Sequence, residues 1–426
     1  MEKLYIKGGK PLRGVIETGG MKNAADPIFF ATLLVGDVCV IENVPDAADI
    51  RHAGEILTEL GAVIAYMGDH TYQIDTRYVN RANIPNVLAA KLRSSYYLLG
   101  AGLGRFGHVE TGYPGGCDFG SRPIDQHVKG FRALGATVEE DGVECRIRCR
   151  AENGLKGNSV YLDVPSVGAT INIMLAACRA NGTTVIDNAA REPHIVALAS
   201  FLNACGARIV GAGTSIIKID GVEKLHGCSY SIIPDMIEAG TYMVAVAAAG
   251  GTVSIKNVIP KHMETVTSKL REMGVEVTEE DDVITVKREG GRLSPVNIKT
   301  LPYPGFPTDM HPQFTALLSM ANGTGKVYEG VWDNRFRYVD QLRKMGAEIT
   351  VEGRNATIVG TDRLHGAPTS SVDLRGGAAL VIAALAAEGT TYIDNIQTLK
   401  RGYDSLVDKL KGVGADIEIV EKRDDD

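Results

Sequence analysis

A cysteine in a glycine-rich loop is the first residue whose setting could support chemistry. The stretch from Pro114 to Asp125 reads P-G-G-C-D-F-G-S-R-P-I-D, so turn-forming residues surround Cys117, and Arg122 follows five positions later. Core cysteines have apolar neighbours, whereas glycine and proline mark a sharply turning loop. Because a nearby positive charge favours the thiolate, such a thiol can act as a nucleophile or a proton donor. We therefore predict a chemical role for Cys117.

Basic side chains stand beside glycines or at helix starts in five stretches, one of which overlaps the cysteine loop. Lys22 and Asn23 lie in G-G-M-K-N-A-A, where free backbone N–H groups could bind an anion, although a solvated lysine explains the same pattern. The other loops contain Arg93 in K-L-R-S-S, Arg122 with Asp125 and His127 in S-R-P-I-D-Q-H, Asp373 with Arg375 in D-L-R-G-G, and Arg401 in K-R-G-Y. The alternatives are surface salt bridges for the arginines and a helix-surface position for His127. Since arginine binds carboxylate or phosphate through two parallel hydrogen bonds, several such loops predict a substrate with both groups.

One carboxylate has a setting suited to acid–base chemistry. Asp309 lies in the proline-stiffened loop P-G-F-P-T-D-M, just before an apolar helix. It could be the N-cap of that helix, or it could accept a proton from a substrate hydroxyl. The sequence leaves both interpretations open.

The composition excludes several classes of protein. The chain has 426 residues, a formal charge of 45 − 52 = −7 and 44% hydrophobic residues, so it lacks the basic field that binds nucleic acid or an anionic membrane. Its longest apolar stretch, around residues 376–387, is shorter than the roughly 18 residues of a membrane span, and its start contains no signal-peptide pattern. No second Cys/His pair follows Cys145 and Cys149 at zinc-ligand spacing. We expect a cytoplasmic protein without a bound metal.

Two series of glycines show that the chain is a sixfold repeat. Helix-like runs end in x-G-A or x-G-V at Gly61, Gly135, Gly206, Gly274, Gly346 and Gly414, at intervals of 74, 71, 68, 72 and 68 residues. A second series closes apolar runs and opens short strands, at Gly36, Gly107, Gly182, Gly251, Gly323 and Gly389. Each repeat is predicted to contain a buried apolar helix, a strand, an amphipathic helix ended by a left-handed glycine, and further strand.

The repeats also predict the domain division. Three repeats match one large domain, so a boundary is expected between Leu225 and Pro234, with the ligand site in a cleft between two similar domains. At the start of the first apolar helix, Asp26 is predicted to be the N-cap and Pro27 the first helical residue.

At this point the motifs identify a family. From Lys3 to about Val420 the chain resembles the UDP-N-acetylglucosamine 1-carboxyvinyltransferases, which are enolpyruvyl transferases. The likeness rests on G-x-K-N-A, P-G-G-C-x-x-G-S-R-P-I-D-x-H, P-S-V-G-A-T, I-P-D-x-I-E-A-G-T, G-F-P-T-D-M, N-R-F, D-L-R and R-G-Y, in that order. The cysteine–arginine motif is highly specific, whereas R-G-Y alone carries little weight.

The resemblance implies an α/β fold, an inside-out α/β barrel of two domains with three repeats each. It implies a first domain of residues 22–233, a second domain of residues 1–21 plus 234–426, and an active site in the cleft between them. The implied reaction transfers the enolpyruvyl group of phosphoenolpyruvate to the 3-hydroxyl of UDP-N-acetylglucosamine and releases phosphate, as the first committed step of peptidoglycan precursor synthesis. No cofactor is implied. We expect a monomer or weak homo-oligomer whose partners are these two small molecules.

Roles for individual residues also come from the resemblance. Cys117 would attack phosphoenolpyruvate, protonate its methylene carbon and react with the epoxide fosfomycin, and Asp309 would be the base for the sugar hydroxyl. Lys22, Arg122 and Arg401 would hold phosphate and carboxylate, assisted by Arg375. The remaining substrate-binding residues would be Asn23, Arg93, Pro123, Ile124, Asp125, Gln126, His127, Ser166, Val167, Gly168, Val331 and Asp373.

Five positions depart from the pattern of the family. They are Asp26 in place of leucine, Ser94 in place of alanine, Ile171 in place of glutamate, Met236 in place of arginine and Lys400 in place of aspartate. Two alternatives therefore stay open: an enolpyruvyl transferase for another nucleotide or UDP-sugar, and a catalytically weak regulator that binds nucleotide sugars.

Overall fold

The computed structural model describes residues 2–115 and 123–421. The described residues form two compact units, which we call the first unit (residues 20–115 and 123–233) and the second unit (residues 2–19 and 234–421). The division into domains of residues 22–233 and 1–21 plus 234–426 stays a prediction.

The described residues contain thirteen α-helices and three 3₁₀-helices. The α-helices are α1 (Lys22–Val35), α2 (Ala48–Glu59), α3 (Asn86–Lys91), α4 (Tyr97–Phe106), α5 (Asp125–Ala133), α6 (Val167–Ala177), α7 (Pro193–Ala204), α8 (Met236–Ala249), α9 (Pro260–Glu272), α10 (His311–Leu318), α11 (Val339–Lys344), α12 (Leu374–Ala386) and α13 (Leu406–Gly412). Short 3₁₀-helices span Arg93–Tyr96, Thr308–Met310 and Ile396–Arg401.

The strands are short and belong to six sheets. They are β1 (Glu2–Lys7), β2 (Leu12–Glu17), β3 (Val38–Glu42), β4 (Val63–Gly68), β5 (Thr71–Asp75), β6 (His108–Gly112), β7 (Thr137–Asp141), β8 (Arg146–Arg150), β9 (Ser159–Tyr161), β10 (Thr183–Asp187), β11 (Arg208–Val210), β12 (Ile216–Asp220), β13 (Ser229–Ser231), β14 (Gly251–Lys256), β15 (Glu276–Glu280), β16 (Val283–Arg288), β17 (Asn297–Lys299), β18 (Thr324–Tyr328), β19 (Glu348–Glu352), β20 (Asn355–Val359), β21 (Pro368–Ser370), β22 (Thr390–Asp394) and β23 (Asp416–Glu421).

The same pairing pattern recurs in the sheets. In the first unit the strand orders are β13-β3-β5-β4, β6-β8-β7 and β11-β12-β10-β9, and in the second unit they are β15-β16-β14-β2, β17-β18-β20-β19 and β21-β22-β1-β23. In five of them one parallel pair is followed by two antiparallel pairs, for example β2 parallel to β14 with Val253 opposite Gly14. In the remaining sheet an isolated parallel bridge between Asn83 and Glu110 takes the place of the parallel strand. The predicted repetition is therefore present in the hydrogen bonding.

The core of each unit consists of helices that are apolar on almost every side. They are α1, α4 and α6 in the first unit and α8, α10 and α12 in the second, and nearly all of their residues are buried. Within the first unit α4 packs against α1 and α6, and within the second α12 packs against α8 and α10. An all-apolar helix has no face for water, so it must be surrounded by other elements. No helix in the described part of the chain is long and apolar enough to cross a membrane.

Both glycine series have positive φ angles, as was predicted for the series that ends the second helix of each repeat. The glycines that follow the second helix of each repeat have φ angles between 88° and 99°, and the other series has φ angles between 68° and 130°. A side chain is strained there because its Cβ crowds the backbone, so glycine is favoured. The second helix of every repeat therefore ends at the same place, two residues before its left-handed glycine.

Two glycines around helix α2 give a matched test of this conclusion. Gly61 has φ +99° and open space where a Cβ would lie, whereas Gly54 is inside the helix, where a Cβ would lie 3.7 Å from Ile64 Cδ1. We expect Gly61→Ala to lower the free energy of unfolding by about 1–2 kcal/mol through backbone strain, and Gly54→Ala to raise it by about 0.5–1 kcal/mol through helix propensity. Denaturant unfolding measures both, and shifts of the same sign would contradict the assignment.

Candidate active site

Lys22 begins helix α1 and lies between two buried carboxylates of the first unit. Its Nζ is 3.0 Å from Oδ2 of Asp49, in the first turn of α2, and 3.5 Å from Oδ2 of Asp26, one helical turn further along α1. The side chains of Lys22, Asp49 and Asp26 are 12%, 4% and 6% exposed, respectively. A lysine is thus present at the predicted helix start, with Asn23 half-buried beside it.

The predicted N-cap at Asp26 is wrong. Helix α1 begins four residues earlier, and both Asp26 and Pro27 lie inside it. The N–H groups of Ala24 and Ala25 both donate to the carbonyl of Met21, which fixes the first turn ahead of the proline. Lys22, and not Asp26, is therefore the first residue of the helix, and Pro27 lies in its second turn.

A cluster of rings lies near the starts of α5 and α6. The guanidinium of Arg93, at a helix start as predicted, lies 5.1 Å from the ring centre of Tyr96, and the Tyr96 ring meets that of His127 edge-on at 4.9 Å. The amide Nδ2 of Asn172 donates to Nδ1 of His127 at 2.9 Å, which leaves the ring proton on Nε2. Gly168 must be glycine, because a Cβ there would lie 2.6 Å from the Tyr96 hydroxyl.

The charge state of His127 follows from its surroundings. Burial and, to a smaller extent, the positive charge of Arg93 lower its pKa to about 3, against a still smaller opposing effect of Asp125. The imidazole is therefore neutral at physiological pH. His127 can donate a hydrogen bond to a ligand but cannot serve as a cation, and its burial rules out the helix-surface position that was its alternative interpretation.

The other predicted residues of the first unit lie at the same helix starts. Gln126 is fixed by two carboxylates, since its Nε2 donates to Asp125 at 2.7 Å and to Asp163 at 3.0 Å. Ser166 caps α6 by accepting from the N–H of Ala169 at 3.3 Å. Pro123 is exposed, Ile124 is buried at the start of α5, and Val167 is half-buried at the start of α6. Cys117 and Arg122 lie outside the described residues.

In the second unit two buried arginines hold Asp309. Its Oδ1 accepts a hydrogen bond from Nη2 of Arg335 at 2.7 Å, and its Oδ2 accepts from Nε of Arg375 at 3.2 Å. Both arginine side chains are 3% exposed, whereas that of Asp309 is 25% exposed. No capping hydrogen bond precedes α10 in the described structure, so the N-cap alternative for Asp309 is not realised. The carboxylate instead faces arginine.

Arg375 is itself fixed from several sides. Its guanidinium lies 5.3 Å from the ring centre of Tyr403, whose hydroxyl is 3.0 Å from that of Thr241. Asp373 caps α12 by accepting from the N–H groups of Arg375 and Gly376 at 3.0 and 2.9 Å. Arg401 is half-buried at the end of the nearby 3₁₀-helix.

Glu329 connects the loop of Val331 to the segment of Asp309. It is fully buried, its Oε1 accepts from the N–H groups of Val331 and Trp332 at 2.7 and 2.9 Å, and its Oε2 accepts from the Thr308 hydroxyl at 2.8 Å. His311 Nε2 lies 3.3 Å from the same oxygen, and burial holds the pKa of His311 well below its usual value, so this contact is with a neutral ring. The two loops are thus held at a fixed distance.

For several of these residues no role was predicted from the sequence. Arg335 stands in the N-R-F motif and Tyr403 in R-G-Y, so the motifs marked them without showing their roles. Asp49, Asp163, Asn172 and Glu329 had no local signal, since each is recognised only by a partner distant in sequence. Among the described residues, no group of three or more His, Cys, Asp or Glu side chains is arranged to hold a metal ion.

Comparisons with known proteins relate this chain to carboxyvinyltransferases along its whole length. The family profile of EPSP synthase (3-phosphoshikimate 1-carboxyvinyltransferase) matches residues 6–410. The chain is 54% identical to UDP-N-acetylglucosamine 1-carboxyvinyltransferase 3 of Caldanaerobacter subterraneus subsp. tengcongensis and 51% identical to UDP-N-acetylglucosamine 1-carboxyvinyltransferase 2 of Clostridium acetobutylicum, over 98% of this chain and 99% of each relative. The chain belongs to the UDP-N-acetylglucosamine 1-carboxyvinyltransferase family.

Solved structures agree with this family. The enolpyruvyl transferase NikO of Streptomyces tendae matches with a TM-score of 0.87 and 27% identity, over 98% of this chain and 99% of NikO. EPSP synthase of Acinetobacter baumannii matches with a TM-score of 0.78 and 18% identity, over 99% and 100% of the two chains, which shows the shared fold. The predicted enolpyruvyl transferase fold is confirmed, and the chain is a 1-carboxyvinyltransferase.

The departures from the family pattern have different consequences. Lys400 donates to Glu2 at 2.6 Å, so its charge is paired within the second unit. Ile171, Met236 and Ser94 are buried and bring no charge. Asp26 is the departure that places a carboxylate against an assigned site residue.

The neutral state of His127 can be tested by titration. With a pKa near 3, its ring signals should not shift between about pH 5 and 8, whereas the unfolded chain should titrate near the ordinary value of about 6.5. Because the unfolded state binds the proton first, this residue lowers stability as the pH falls from about 6.5 toward 3. NMR of histidine-labelled protein measures the titration, with His127→Gln to assign the signal. A midpoint near 6.5 in the folded protein would refute the burial argument.

Proposed function

We propose that the protein transfers the enolpyruvyl group of phosphoenolpyruvate to the 3-hydroxyl of UDP-N-acetylglucosamine and releases phosphate. The relatives named for this reaction cover the whole chain. The observation that carries the proposal is the pairing of Asp309 with Arg335 and Arg375, because it places a potential base beside a potential anion site. Reaction of an acidic substrate with a hydroxyl needs both.

The chemistry follows from the proposed roles. Asp309 takes the proton of the sugar hydroxyl while the oxygen bonds to C2 of phosphoenolpyruvate, and Cys117 gives a proton to the methylene carbon. The resulting tetrahedral adduct then returns a proton from that carbon to the Cys117 thiolate, its C–O bond to phosphate breaks, and the departing phosphate takes the proton held by Asp309. The C=C bond of the enolpyruvyl group forms again, with that group now attached to the sugar oxygen, and inorganic phosphate leaves. Every atom of the two substrates is found in the two products.

The arginines explain how Asp309 can change its proton affinity. Two guanidinium groups beside a carboxylate stabilise its ionised form, which makes it a weak base. Phosphoenolpyruvate on Lys22, Arg122, Arg375 and Arg401 supplies a second anion for Arg375, and this competition raises the proton affinity of Asp309. The base is thus activated once the anionic substrate is bound.

The cellular setting belongs to the proposal. We propose that this reaction supplies peptidoglycan precursors in the cytoplasm, and so bears on cell shape and division. We further propose that the enzyme needs no metal or organic cofactor, binds neither nucleic acid nor membrane, and acts as a monomer or weak homo-oligomer. The residues of the first unit that surround His127 and Gln126 would bind the nucleotide, together with Val331.

The role of Cys117 gives the first test. Phosphate release from phosphoenolpyruvate should require UDP-N-acetylglucosamine, and Cys117→Ala should reduce it by on the order of 10²–10⁴-fold, the usual contribution of a positioned proton donor. Pretreatment with fosfomycin should abolish release in the unaltered enzyme. Cys145→Ala, a change at an exposed cysteine, is the matched control and should keep full activity. Release without the sugar nucleotide would refute the proposed acceptor.

Asp309 gives a second, independent test. Asp309→Asn removes the base but keeps the shape, so kcat should fall by on the order of 10²–10⁴-fold. Binding of UDP-N-acetylglucosamine, measured by calorimetry, should change little. Asp340→Asn, at an exposed carboxylate paired with Arg343, is the matched control. If Asp309→Asn retained kcat, the assignment of the base would be wrong.

A further inference from the structure

The contact between Lys22 and Asp26 has no place in the proposed mechanism. Asp26 is 4% exposed and lies in the second turn of α1, with Oδ2 at 3.5 Å from the lysine. Burial of a carboxylate is unfavourable even where polar groups face it. A buried carboxylate beside a substrate-binding cation should therefore affect that cation.

The charges of Lys22, Asp26 and Asp49 do not balance. Asp49, from α2, lies 3.0 Å from the same Nζ, so one ammonium faces two carboxylates and the sum over these three groups is −1 when all are ionised. The Ser94 hydroxyl is the group that faces Asp26 from the 3₁₀-helix Arg93–Tyr96. Asp26 thus adds a negative charge within 3.5 Å of the Nζ that would bind an incoming anion, which weakens binding of that anion.

We propose that Asp26 is a positioning residue that competes with phosphoenolpyruvate for Lys22, and that its ionisation weakens binding of that substrate. This inference rests on the proposed function, because it takes Lys22 as a ligand of the anionic substrate. It assigns to Asp26, which takes no part in the proposed reaction, an effect on substrate affinity that depends on pH. When Asp26 is protonated, the charges of Lys22 and Asp49 cancel.

The electrostatic surroundings support a change of charge in an accessible range. Burial has the largest effect on the pKa of Asp26, Lys22 opposes it and the carboxylate of Asp49 adds to it, which together raise the pKa to about 6. Asp26 is therefore mostly neutral below about pH 5 and mostly ionised above about pH 7. The penalty on phosphoenolpyruvate binding should appear across that interval as the pH rises.

Asp26→Asn tests the inference because it removes the charge and keeps the size. The KM for phosphoenolpyruvate should be about three- to tenfold lower than in the unaltered enzyme at pH 8, as for removal of one nearby like charge. The ratio of the two KM values should approach 1 near pH 5. The ratio is the proper readout because the substrate phosphate itself titrates near pH 6 in both measurements. The kcat should change less than the KM.

Matched controls separate a local effect from a general one. Asp75→Asn removes a carboxylate paired with Arg77, on the surface of the same unit, and should leave the KM ratio near 1 at every pH. Asp26→Leu is a second variant that removes the charge, and it covers the case in which the asparagine is poorly folded. It should show the same pH dependence.

The outcomes distinguish this inference from the proposed function. A KM ratio of 1 at all pH values, a ratio independent of pH, or a loss of kcat at constant KM would overturn the role of Asp26. If no phosphate is released at all, the proposed function fails, and stabilisation of the protein by phosphoenolpyruvate in thermal unfolding replaces KM as the readout. A larger stabilisation of Asp26→Asn at pH 8 would then still support competition for Lys22, and equal stabilisation would refute it.

Discussion

The burial of helices that are apolar on almost every side is the constraint on which this structure depends. Helices α1, α4, α6, α8, α10 and α12 have no face suited to water, so sheets and second helices must enclose them. Polar side chains in the middle of these helices, such as Asn172 and Thr241, are hydrogen-bonded, and Lys22 and Arg375 lie at helix starts. There the free N–H groups need partners, and the helix dipole favours anions. The candidate site residues follow from this rule.

The same rule explains the character of the individual sites. Ser166, Asp235 and Asp373 cap buried helices with their own side chains, whereas α1 and α10 lack such a cap. Lys22 stands at the start of α1, and Asp309 stands just before α10. Of the three core helices without a side-chain cap, α1, α4 and α10, two therefore carry the residues that we assign to anion binding and to proton transfer.

The repeat and the helix ends could be predicted because their causes are local. A left-handed backbone conformation can be predicted from a single glycine, and the burial of a helix can be predicted from its own apolar run. The repeat was therefore predicted correctly from the two glycine series. Asp26 was wrongly predicted to be the N-cap, because an aspartate before a proline is typical of a helix start but here lies inside α1, which begins at Lys22. The motif N-R-F marked Arg335, yet its bond to Asp309 joins residues 26 apart and has no sequence period. The sequence thus predicts secondary-structure elements and the chemistry of single residues. Contacts between residues distant in sequence become known only from the three-dimensional structure.

Charge pairing among buried groups then determines which of these residues can react. Arg335 and Arg375 are nearly inaccessible and both contact Asp309, and the buried Asp235 also acts on Arg375, so an anionic substrate at Arg375 must compete with carboxylates of the protein. At Lys22, likewise, two carboxylates contact one ammonium. Since effects of charge grow as water is excluded, a single added carboxylate in such a place alters affinity more than a surface charge would. A carboxylate at position 26 is tolerated by the fold because it lies one turn from the start of α1, where a cation can reach it. A carboxylate deeper in the same helix would lie beyond the reach of this cation. Its burial would then lower the stability of the fold and leave substrate affinity unchanged.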